Sequence, residues 1–165
     1  CREDLHLYAR TQFGTGLRRA GISTEFTLAS AVACWRQLEP EPTSPSLALI
    51  WTSLTFSATE NLACLTELRE EGSLPMPFQF IASQPHMAAA YANRFLPGLV
   101  HATTLVHSDA DVEGTLLAGL SRRCSWTHIL LGEVWTPHPL QEEGDRFKAS
   151  WRVLERRITP KNDCQ

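Results

Sequence analysis

The sequence predicts an α/β domain built on a mostly parallel sheet whose last strand runs antiparallel to its neighbour. Three observations carry that prediction. Leu47-Ala48-Leu49-Ile50-Trp51 is apolar on both alternating faces, which is how a strand covered on both sides reads. A Ser/Thr-rich loop and an amphipathic stretch follow it, so strand, loop and helix make half of a crossover unit. Near the end, Phe147 to Val153 alternates with period two, as a half-exposed edge strand does. Together these predict a mixed sheet of about four or five strands. Residues 1–165 are expected to form a single domain, because domains of about 100 to 200 residues are the usual size.

Helical spacing opens the chain. Leu5, Tyr8, Phe13 and Leu17 recur at roughly helical intervals, with Gly14 and Gly16 interrupting the pattern and Gly21 closing it. The piece Gly14-Thr15-Gly16 reads as a turn, since it lacks the preceding strand, the third glycine and the Lys-Ser/Thr that a phosphate loop needs. Ser23 or Thr24 is expected to cap a second helix, whose stripe Leu28, Ala31, Val32, Trp35 and Leu38 has the required spacing. The three prolines of Pro40-Glu41-Pro42-Thr43-Ser44-Pro45 bar helical geometry and make this a linker.

After the strand at 47–51, Thr52 to Thr59 suits a loop at its carboxyl end. Glu60 to Glu71 then reads as a helix with Leu62, Leu65 and Leu68 inward, Glu67, Arg69, Glu70 and Glu71 outward, and Gly72 as its stop. Two prolines make Leu74-Pro75-Met76-Pro77-Phe78 an expected extended segment, and Phe80 to Ser83 leads into Pro85. From His86 to Phe95 a compact helix is expected, with three consecutive alanines that permit close backbone approach, ended by Pro97-Gly98.

Val100 to Ser108 reads as a strand that turns at once into a helix. That helix carries Val112, Leu116, Leu117 and Leu120 on one face and Gly114, Ala118 and Gly119 on another, so it is expected to be buried at the centre of the fold. Trp126 to Trp135 is a further strand, Pro137 to Gly144 a polar loop, and Pro160 to Gln165 a frayed tail.

Composition narrows the function. A hydrophobic fraction of 43% and a charged fraction of 20% are those of a globular protein with no membrane span. The net charge is −3, and the basic residues are scattered or confined to pairs such as Arg18-Arg19, Arg122-Arg123 and Arg156-Arg157. Nucleic acid is therefore not an expected partner. The five cysteines have no CxxC spacing, so neither zinc nor a disulfide framework is expected, and a reduced, cytoplasmic setting is the default. Cys34 and Cys64 fall in apolar helical patterns, where cysteine acts as a small hydrophobe. The six histidines show no HxxxH spacing, and no metal or cofactor is expected. A chain that opens on Cys1 rather than Met is expected to have lost residues at its start.

Four stretches in order, LALIWTSLTFSATENL, SLPMPFQFIASQPHMAAAYA, TTLVHSDADVEGTLLAGL and HILLGEVWTPHPL leading to KASWRVL, give 47–154 a family likeness. This region resembles the amino-terminal half of the β-ketoacyl synthases, which have the thiolase fold. It is most similar to the short chain length factors of type II polyketide and aryl polyene systems. The resemblance implies half of a thiolase-like fold with a buried central helix. In active members a cysteine nucleophile stands where this sequence has Ser108. A serine hydroxyl needs an adjacent base, and successive strand side chains point to opposite faces, so His107 is badly placed to serve Ser108. Asp109 and Asp111 read as first-turn carboxylates that complement the helix dipole. Active members also draw two histidines from a second thiolase half, which is expected to be missing here.

The resemblance thus implies a non-catalytic subunit that pairs with a full-length ketosynthase as a heterodimer and meets acyl carrier protein through that complex. The shared fold dimerises through the strand matched here by Ala102–Val106. Ser83, His86, Met87, Tyr91, Thr104, Val106, His107 and Ser108 are the expected partner-interface or tunnel residues, with Ser108 as the degenerate nucleophile position. Two other readings stay open: a small acyl transferase or hydrolase that uses Ser108, and a self-associating scaffold.

Overall fold

The computed structural model describes residues 2–14, 16–17, 20–38, 45–53, 55–72, 74, 76–84, 86–105, 126–137 and 146–155. In chain order these form α1 (Arg2–Phe13), α2 (Ile22–Trp35), β1 (Leu47–Thr52), α3 (Ala58–Glu71), α4 (Pro77–Ala82), α5 (Met87–Ala92), β2 (Leu99–Leu105), β3 (His128–Trp135) and β4 (Lys148–Glu155). The four strands make one sheet in the order β2-β1-β3-β4. β1 is parallel to both of its neighbours, and β4 runs antiparallel to β3. This is the mixed sheet that the sequence predicts.

β1 is central because its side chains satisfy two faces at once. Leu47, Leu49 and Trp51 join the main core with Leu28, Val32, Leu130 and Val134, while Ala48 and Ile50 pack with Ile129 and Leu131. The main core is roofed by α1, α2 and α5, through Phe13, Ala31, Trp35, Ala88 and Ala92 among others. Ala88 and Ala92 are fully buried. α5 packs against α2 and β2.

The β1–β2 register shifts between Leu47, opposite Leu99, and Ala48, opposite His101. Val100 is thereby the extra residue of a bulge. The bulge has a packing consequence. Leu99 and Ala102 are an odd number of residues apart, so in a regular strand they would point to opposite faces, yet both pack on the main core.

β4 sits at the other edge and is mostly exposed except at Trp151, Val153 and Leu154. Trp151 lies over Gly132, its register partner, where an added Cβ would overlap the indole. The indole Nε1 donates to Ser30 Oγ of α2 at 2.9 Å, which ties the edge strand to the roof helix.

Three local expectations are corrected. Helix α2 begins at Ile22 with Gly21 at the N-cap position, and Ser23 and Thr24 lie inside its first turn with no side-chain cap bond from Gly21. The reason is that Glu60 of α3 supplies the acceptor instead. Leu65 and Leu68 do not face inward: they are 61% and 45% exposed. Among the described elements α3 packs chiefly against α4. Residues from Pro77 onward are not extended but form α4, with Pro77 at the first helical position, where its missing N–H costs nothing. Gln79 completes that helix start by accepting the Met76 N–H at 2.7 Å.

The expected helix over 86–95 is shorter at both ends, and Phe95 and Leu96 N–H close onto the Ala92 carbonyl in the turn that follows it. The expected buried helix at 112–120, the strand end at 106–108, the linker at 40–44, most of the 137–144 loop and the tail lie outside the described residues. No described helix is long and apolar enough to cross a membrane.

Candidate functional site

The carboxyl ends of β1, β2 and β3 come together at one edge of the domain, the place where open α/β sheets present their functional groups. Ser53, just past β1, donates its N–H to the Leu105 carbonyl at the end of β2, at 2.9 Å. On the other side Thr55 and Thr136 clamp the loop after β1 to the end of β3. Thr55 Oγ1 donates to the Thr136 carbonyl at 2.6 Å, and Thr136 Oγ1 donates to the Thr55 carbonyl at 2.9 Å. Ser57 follows in the left-handed region, with φ of 61°, and ends the loop as the N-cap of α3.

Two helix N-termini converge at this end. Glu60, three residues into α3, turns its carboxylate onto the first turn of α2, where Ser23 N–H and Ser23 Oγ donate to it at 2.9 and 3.1 Å. One carboxylate thus answers the positive ends of two helices. Nearby, the buried hydroxyls of Thr24, Ser53 and Ser57 have no hydrogen-bond partner among the described residues. Among the described residues none of the three hydroxyls is held by a histidine or a carboxylate.

The described ones among the expected site residues lie at the end of α4, on or just before α5, and on β2. Ser83 is buried at the end of α4, and its hydroxyl is spent locally, donating to the Phe80 carbonyl at 2.7 Å and accepting from Gln84 at 3.3 Å. His86 is exposed at the N-cap position of α5. Met87 and Tyr91, one helical turn apart, are half-buried, and Tyr91 packs against the main core. Thr104 is half-buried on β2 opposite Trp51, hence on the sheet face that carries α5. The fold therefore brings Met87, Tyr91 and Thr104 to one flank. Val106, His107 and Ser108 lie outside the described residues.

The thiols are subdued. Burial pushes the Cys34 thiol up, and burial followed by the charges of Glu67 and Glu60 does the same to Cys64. Both are free and half-buried. Among the described residues no group of three or more His, Cys, Asp or Glu side chains is placed to hold a metal ion.

Sequence reasoning did not find the Glu60 clamp, the Thr55–Thr136 clamp or the outward-facing α3–α4 surface. The last of these had a visible signal. No Asp, Glu, Lys or Arg stands between Glu71 and Arg94, and both methionines of the chain, Met76 and Met87, fall in that interval.

No protein-family model matches the sequence, and no curated protein matches it. Among solved structures the chain is similar to one from the complex of the ketosynthase ApeO with its chain length factor ApeC from Xenorhabdus doucetiae. The match has a TM-score of 0.56 at 16% sequence identity, and it covers 74% of this chain and 49% of that one. The chain thus spans about half the length of the solved chain it matches. The likeness is one of fold: the described residues form a four-stranded α/β unit that corresponds to about half of the matched chain.

Proposed function

We propose that this chain is a non-catalytic, chain-length-factor-like subunit that pairs with a full-length β-ketoacyl synthase. Its role is to shape the tunnel for a growing acyl chain in type II polyketide, aryl polyene or fatty-acid-like biosynthesis. The observation that carries this reading is the fold match to a ketosynthase and chain length factor complex. A second feature agrees with it. β2 stands at the end of the sheet order, with one ladder partner, β1, among the described strands. An edge strand of this kind offers backbone donors and acceptors to a neighbouring sheet.

Absence of chemistry follows from side-chain identity. The resemblance puts a nucleophilic cysteine where this chain has Ser108, and a hydroxyl without a base is a poor nucleophile at neutral pH. In this reading Met87, Tyr91 and Thr104 face the partner or the acyl chain from the α5–β2 flank. Acyl carrier protein is met through the ketosynthase, and the complex works in the cytoplasm.

Co-expression with a full-length β-ketoacyl synthase from the same organism tests the reading. Co-elution of the two on size-exclusion chromatography is the expected result. Two separately eluting, soluble proteins would overturn it.

A further inference from the structure

We draw no further inference here: the strongest candidate, the set of buried polar side chains formed by Thr24 and Ser57 at the starts of α2 and α3 with Trp51 and Ser53 at the carboxyl end of β1, whose hydroxyls and indole N–H have no hydrogen-bond partner among the described residues, carries nothing because no described group shows what these side chains would hold.

Discussion

The carboxylate of Glu60 accepts both the backbone N–H and the hydroxyl of Ser23, so the first turn of α3 caps the first turn of α2. Gly21 is the residue that makes room for it: an added Cβ there would lie within 2.9 Å of the Glu60 carboxyl carbon. Removing the acceptor with Glu60→Ala should cost about 1 kcal/mol, the usual worth of a helix cap. For a chain of this size that corresponds to a fall of about 2–4 °C in Tm. Gly21→Ala should cost about 1–3 kcal/mol by overpacking. The double variant Gly21→Ala/Glu60→Ala should be clearly less destabilised than the two single effects added, because the clash disappears with the carboxylate. Thermal melts of the four proteins check this, and strict additivity would mean that Gly21 is not kept small by Glu60.

A second close approach fixes the edge strand. Gly132→Ala places a methyl group into the indole of Trp151, so it should destabilise by about 1–3 kcal/mol. It should also blue- or red-shift the tryptophan emission as the ring moves. Trp151→Phe keeps most of the ring but loses the hydrogen bond to Ser30, at a cost of about 1 kcal/mol. Denaturant titrations of both variants give the two numbers.

Thiol reactivity should follow the burial and charge around each cysteine. Both Cys34 and Cys64 are pushed up, so the thiolate fraction at pH 7 to 8 lies below that of a free cysteine and alkylation should be slower. The rate should climb only as pH rises through the raised value. Because Glu67 adds to the effect at Cys64, Glu67→Gln should speed alkylation of Cys64 and leave Cys34 unchanged. Iodoacetamide labelling at several pH values, read by peptide mass spectrometry, measures this. Equal acceleration at both sites would count against a local charge effect.

Serine-directed probes separate the proposed subunit from a hydrolase. A fluorophosphonate should leave the chain unlabelled after prolonged incubation, since Ser23, whose hydroxyl donates to the Glu60 carboxylate, is buried in the first turn of α2 and the resemblance gives Ser108 no base. Labelling that vanishes in Ser108→Ala would favour the acyl transferase or hydrolase reading instead.

The sequence by itself determined those features that local periodicity and side-chain chemistry encode. The unbroken apolar run at Leu47–Trp51 marks a strand that needs cover on both faces, and the structure puts it at the centre of the sheet. The alternation at 147–153 marks an edge strand, which β4 is. The spacing of Leu28, Val32 and Trp35 marks the buried face of α2. Periodicity states which residues share a face, but not what that face meets. That limit explains the errors at α3 and α4. Leu65 and Leu68 have helical spacing, yet both are exposed. The prolines at 75 and 77 argue for extension, but Pro77 is equally suited to open a helix once Gln79 takes the Met76 N–H.

Only the tertiary structure decided that α2 is capped from a helix 37 residues away, that Gly132 lies beneath an indole, and that Thr55 grips Thr136 across 81 residues. Each is a contact between distant parts of the chain, and its worth depends on distances that no local pattern specifies. The same holds for Leu74, Met76, Phe78, Phe80 and Ile81, whose apolar composition was in the sequence but whose exposure was not.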